Sequence, residues 1–277
     1  MPTAAEWRRA FARAVHVGRP GFALDQVALL VAAEERPDLD VSHYMRELDA
    51  IAARVAGEIK HELDPYLIVG TLNRVLFKDL GFRGNLSDYY DPANSFLDQV
   101  LERRLGIPIT LSIIYLEVAR RCRLPVVGVS FPGHFLVSYQ AVDERLILDC
   151  FRGGEVVLPR HFQSRLDEMF DKKLRFRPEH LEPTPPRAVV ARLLTNLKAI
   201  YWRRNDYRRA LGVSERLILV NPNLPEEYRD RGVLRAHLRD YAAALPDLEH
   251  YLALVPEAPD AARVRWLANR LRSRRQA

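Results

Sequence analysis

The feature that most constrains this chain is a repeat in its last third. Asp206-Tyr207 recurs as Asp240-Tyr241, Ala210-Leu211 as Ala244-Leu245, and Pro222 as Pro256, each pair 34 residues apart. A fixed period of this length means that one supersecondary unit is laid down twice, each copy burying against the next a face it cannot bury alone. The alanines suit close helix packing and the prolines suit turns between hairpins, so the segment is expected to be helical. Two such units are too few for a free-standing array, which predicts docking on the preceding domain or on a partner.

Thirty-four is the tetratricopeptide period. Upstream of the repeats, HLEPTPPR places Pro183, Pro185 and Pro186 within four residues. Proline removes a helical hydrogen bond and fixes φ, so a domain boundary is predicted there. The resulting division is 1–92 as a helical N-terminal part of the core domain and 93–180 as a helix-plus-sheet core. Residues 181–187 follow as a Pro-rich linker and 188–277 as the repeats. A chain of 277 residues is long enough for two modest cores.

The first ninety residues read as helices. AAEWRRAFARAV is amphipathic, ALDQVALLVAAEE follows, and VSHYMRELDAIAARVAGEI carries Tyr44, Leu48, Ile51 and Val55 at helical spacing. DPYLIVGTLNRVLFKDLGF is a fourth helix, closed by Gly81. After the turn-rich NLSDYYDPANS, Asn94 or Ser95 opens the short helix FLDQVLERRLG. Gly106-Ile107-Pro108 ends it, with Pro108 placed to start the next helix. PITLSIIYLEVARRC is apolar almost all round, as befits a helix in the middle of a domain. The period then changes: VVGVSF, HFLVSYQ, RLILDC and EVVLP predict an antiparallel meander. Pro132-Gly133 and Gly153-Gly154 are its turn residues. The fold class is therefore α+β followed by α-helical hairpins.

No stretch approaches the length of an apolar membrane span. The N-terminus has no apolar run of the secretory kind, so a cytoplasmic location is expected. Cys122 and Cys150 are the only cysteines, which gives neither a disulfide framework nor a metal-ligand spacing; no metal or cofactor is expected. The net charge of +6 rests on arginine, since only Lys60, Lys78, Lys172, Lys173 and Lys198 are lysines. AARVRWLANRLRSRRQA is the densest basic segment, and a solvated capping helix accounts for it better than nucleic-acid binding.

The central helix, then His134 on one strand, then Asp149 on a later strand, stand in the order of a nucleophile, base and orienting acid. A thiol is favoured at a helix N-terminus, a histidine within reach acts as base, and a carboxylate fixes its tautomer. NSFLDQVLERRLGIPITLSIIYLEVARR, VGVSFPGHFLVSY and LILDCFRGG resemble the SirB1 family, bacterial transglutaminase-like proteins with C-terminal tetratricopeptide repeats. EERPDLDV and HYMRELDAIAARV fit the helical N-terminal region of that family. The resemblance implies a papain- or transglutaminase-like core over nearly the whole chain before the repeats.

In active transglutaminase-like enzymes the nucleophilic cysteine begins the central helix, well before an arginine near its end. Counting back from Arg120 lands on Pro108, Ile109 or Thr110, none of them a cysteine. The resemblance thus implies a candidate pseudoenzyme with His134 and Asp149 as remaining triad members. Cys150 adjoins Asp149 and, in a strand, points to the opposite face. Cys122 lies at the far end of the helix, roughly 20 Å from its start. Thr110 is expected to satisfy local backbone groups. Asn94, Glu102 and Arg103 are possible cleft-lining residues, with Glu102, Arg103 and Arg104 able to form an ionic cluster at the helix start.

The leading expectation is a non-catalytic regulatory or adaptor protein that binds a protein partner through its repeats. Tyr201, Trp202, Tyr207, Tyr228 and Arg235 are the candidate partner-binding residues, some of which must serve the core. Nucleic acid and membrane are not expected partners. The alternative is a cysteine-less amide hydrolase or acyltransferase using His134 and Asp149.

Overall fold

The computed structural model describes residues 2–16 and 22–276, the side chains of 274–276 excepted. It divides into two compact units, 1–193 and 194–277.

In the first unit α1 (Ala4–Ala14) starts at a capping box between Thr3 and Glu6. Helices α2 (Leu24–Glu35) and α3 (Val41–Glu58) follow, the latter N-capped by Asp40, and α3 buries Tyr44, Leu48, Ile51 and Val55. Asp64 caps α4 (Pro65–Asn73), accepting from the amides of Tyr66 and Leu67. The chain then widens into a π-helical turn, Arg74–Asp79, and leaves it through Gly81 at φ +75°. Two residues, Arg83–Gly84 (β1), pair in parallel with Leu105–Gly106 (β2). Between them lie a 3-10 turn, Pro92–Ser95, and α5 (Leu97–Arg103), which Arg104 ends in the left-handed conformation.

The central helix α6 (Pro108–Arg121) is buried on every side through Ala119. It packs on α2 and α3 and, through its other face, on a five-stranded sheet. Each large aliphatic side chain it buries contributes about 1.5–3 kcal/mol. The sheet holds β3 (Val126–Val129), β4 (Leu136–Gln140), β5 (Arg145–Asp149), β6 (Glu155–Val156) and β7 (Pro183–Thr184), in the order β6-β5-β4-β3-β7, all antiparallel. Helix α7 (Phe162–Phe170) covers the face opposite α6, with Phe162 and Leu166 against Val129, Leu136 and Ile147.

Residues 181–187, expected to be a linker, include strand β7, which is part of the first unit. Proline is unfavourable in helix interiors, although α11 contains Pro246, and is accepted on a sheet edge, where its missing N–H is not needed. The Thr184 hydroxyl also accepts from the Ser130 amide at 2.8 Å.

The second unit continues α8 (Pro186–Arg203) into α9 (Tyr207–Val220), α10 (Pro225–His237), α11 (Tyr241–Leu254) and α12 (Ala261–Gln276). The 34-residue period is built into the backbone. Asn205 and Arg239 are both left-handed, at φ +56° and +65°, and each is followed by an N-capping aspartate, Asp206 or Asp240. Gly232 lets α10 and α11 approach closely, since a Cβ there would stand 2.8 Å from the Leu248 side chain. No helix among the described residues is long and apolar enough to cross a membrane.

Candidate functional site

Strand alternation sorts the end of β5. Asp149 shares with Ile147 the sheet face covered by α7, and Cys150, in the 3-10 turn that follows, turns into the interior toward Ser112 of α6. Asp149 has no exposed surface. Its Oδ1 lies 2.9 Å from His134 Nε2 and accepts from the Phe151 amide at 3.1 Å. Its Oδ2 accepts from Arg165 Nη1 of α7 at 2.6 Å, with Arg152 Nε at 4.0 Å. Burial raises the pKa of this carboxyl, but the hydrogen bond and charge of His134, followed by those of Arg165, outweigh it and hold Asp149 below the usual carboxylate range.

The His134 side chain is 17 % exposed. It borders a concavity of about 530 Å³ whose other walls include Leu86, Phe151, Arg152, Arg165 and Met169. The Phe151 ring stands edge-on to His134, with centroids 6.2 Å apart. It also packs so tightly on Gly84 that a Cβ there would come within 2.5 Å of the ring. Sequence reasoning missed Arg165: it lies on an amphipathic helix far from any motif, and only the fold brings it to Asp149.

Pro108, Ile109 and Thr110 are not among the residues lining this concavity, and all three are buried. The Thr110 hydroxyl accepts from the Ile107 amide at 3.0 Å and donates to the Asn94 carbonyl at 2.8 Å, so both its functions are taken. Asn94, which the sequence offers as a cleft residue, is wholly buried, bonded to Asn85 and to the carbonyls of Asp88 and Tyr89. Glu102 accepts from the Tyr44 hydroxyl and from Gln99. Arg103 pairs with Asp91 at 2.9 Å, and Arg104 pairs with Glu47 instead of clustering with its neighbours. None of these residues lines the His134 concavity.

Neither thiol has the setting of a nucleophile. Burial pushes the Cys150 thiol far up, away from thiolate. Cys122, at the C-terminal end of α6, is raised by partial burial and donates to the Ala52 carbonyl at 3.3 Å.

In the repeats, Tyr201 is buried in the core, so it is not available to a partner. Tyr207 stacks on His237 with centroids 4.2 Å apart, and the Tyr228 hydroxyl donates to the Pro222 carbonyl. Arg235 is engaged by Asp247 at 2.7 Å and by Glu215 at 3.6 Å. Trp202 is half-buried and faces a groove within the second unit.

Comparison with known proteins agrees with this architecture. A family model described as the transglutaminase-like superfamily matches residues 42–195, and one described as tetratricopeptide repeat matches 197–269. A UPF0162 protein of Xylella fastidiosa (strain 9a5c) is 38 % identical over 245 residues, covering 87 % of each chain. A UPF0162 protein of Vibrio cholerae is 29 % identical over 88 % of this chain and 90 % of its own. Protein SirB1 of Salmonella typhimurium is 27 % identical over 87 % of this chain and 90 % of its own. The chain belongs to the UPF0162 family, the transglutaminase-like group with tetratricopeptide repeats that includes SirB1.

Proposed function

We propose that this protein acts in the cytoplasm as a non-catalytic regulatory or adaptor module that holds a protein partner with its C-terminal hairpins. The observation that carries this reading is the start of α6. Where a transglutaminase-like enzyme presents its thiol, this chain has Pro108, Ile109 and Thr110, all buried, with the only hydroxyl already bonded to backbone. His134, Asp149 and Arg165 then serve as a hydrogen-bonded tie between the sheet and α7. Tetratricopeptide hairpins supply the binding surface.

The test is cross-linking capture by the full-length protein in its native cells, comparing wild type with His134→Gln. The same partner recovered by both, with only thermal stability lowered in the variant, supports the proposal. The competing reading, an amide hydrolase or acyltransferase in which His134 activates water, draws on the concavity that reaches the imidazole. Turnover of peptide amides or thioesters by the purified protein, lost in His134→Ala at an unchanged melting temperature, would establish the enzyme and sink the adaptor.

A further inference from the structure

The formal charge is not spread over the chain. Of 42 basic and 36 acidic side chains, residues 1–193 hold 26 of each, whereas residues 194–277 hold 16 and 10. The whole excess of +6 therefore belongs to the second unit. Helix α12 alone carries six arginines and no acid: Arg263, Arg265, Arg270, Arg272, Arg274 and Arg275. The stripe Ala261, Val264, Ala268 and Leu271 of the same helix is buried.

Helices α8, α10 and α12 line a groove of about 450 Å³, with apolar walls from Trp202, Val233, Val264, Trp266 and Leu267. The lining follows the repeat, since Arg229 and Arg263, and Val233 and Leu267, are each 34 residues apart. Its acids are already answered. Asp230 accepts from Arg229 at 2.8 Å and from Lys198 at 2.7 Å, and Asp260 accepts from Arg229 at 2.8 Å and from the Tyr251 hydroxyl. Arg263, by contrast, is exposed and makes no hydrogen bond or ion pair among the described residues. Beside it Trp266 is 60 % exposed, with the Arg270 guanidinium 5.2 Å from its ring centroid. An exposed aromatic and a free cation at the rim of an apolar groove offer an anchor surface and a charge to the same ligand.

We propose that this groove receives an acidic protein segment with one large apolar or aromatic anchor. The anchor seats among Trp202, Val233, Val264 and Leu267, and its flanking carboxylates meet Arg263 and the neighbouring Arg270. This rests on the protein-binding reading above and adds the place and the partner's chemistry. The apolar contact supplies most of the affinity, while the charges set orientation, association rate and salt sensitivity. A nucleic acid fits less well. Its phosphates would track α12, where Arg265 is turned to the Pro256 carbonyl and Arg272 to Glu249, and its bases would enter beside Asp230 and Asp260.

The test titrates the full-length protein with labelled peptides of three kinds: acidic with a central Phe or Leu, basic with the same anchor, and acidic without an anchor. A single-stranded oligonucleotide is the fourth probe. The acidic anchored peptide alone is expected to bind, to shift tryptophan fluorescence, and to weaken with added salt. Arg263→Glu and Trp266→Ala, both at exposed positions, should each cost about tenfold in affinity, or about 1.4 kcal/mol, while His134→Gln leaves the affinity for the peptide unchanged. Equal binding of the basic peptide, tighter binding of the oligonucleotide, or no loss in Arg263→Glu overturns the proposal, as does binding of no peptide at all. A photo-cross-linking residue at position 266 in native cells separates the two readings. Cross-linking to a protein whose contacted segment is basic removes the acidic partner but keeps the adaptor. Failure to trap any protein, there or by whole-chain capture, removes both.

Discussion

Asp149 and Arg263 mark the contrast between the two units. The first is a carboxylate without exposed surface, held by His134, Arg165 and the Phe151 amide. The second is an exposed guanidinium that forms no ion pair among the described residues. The first unit also buries Asp25 and Glu117, both tied to Arg121, at 2.6 and 2.8 Å. A buried ion loses its hydration and must recover it from fixed partners, so removing one partner is costly. An exposed ion keeps its water, so it adds little to folding and remains available to another molecule. Buried charge, in the first unit and at Lys198 and Glu227 of the second, is therefore an element of architecture, whereas the exposed surplus of the second unit adds little to its folding.

The largest effect that sharpens this contrast is expected from Asp149→Ala. It leaves Arg165 and His134 without their carboxylate and should cost on the order of 3–5 kcal/mol in urea unfolding. An unchanged midpoint would break the comparison outright. The same carboxyl gives the first unit an acid limb. Because its pKa is lower in the folded protein than the usual value near 3.9, its contribution is complete above that pH. It is lost as pH falls through the lower folded value. Asp149→Asn should flatten this acid limb, measured as the unfolding free energy between neutral pH and about pH 3.

A packing change in the second unit should come next. Gly232→Ala forces a methyl against Leu248 and the Ala244 carbonyl, and overpacking of this kind costs about 1–3 kcal/mol. Loss of helicity in thermal unfolding would report it. The smallest effect is expected from Arg272→Ala, which breaks the exposed pair with Glu249 at 2.6 Å and an exposed hydrogen bond to Asn269 at 2.7 Å and should change stability by less than about 1 kcal/mol. A loss as large as that of Asp149→Ala would mean that the arginines of α12 hold the fold rather than serve its surface.

Much of this was legible because the residues are periodic. The run from Leu111 to Ala119 has no polar stripe, so it had to be central, and the recurrence of Asp206 as Asp240 reappears as two N-caps following two left-handed residues. The meander followed from β-rich runs between glycine-rich turns. What stayed hidden was set by contacts between distant segments. The two-residue pairing of β1 with β2 has no pattern to read, and the π-helical turn at Arg74–Asp79 looks like ordinary helix in sequence. Pro183 and Thr184 read as linker because proline stops helices, although it also suits a sheet edge. For the candidate site, the order of His134 and Asp149 was visible, but Arg165 and Phe151 were not. Nothing about Tyr201 distinguishes a core tyrosine from an exposed one until α8 is packed.

The buried start of α6 bears on any attempt to install a nucleophile there. Pro108, Ile109 and Thr110 are enclosed, and the Thr110 hydroxyl bridges the Ile107 amide to the Asn94 carbonyl. A thiol introduced by Pro108→Cys would sit at a buried position outside the concavity that His134 borders, so a new nucleophile there would need an opening as well as a sulfur.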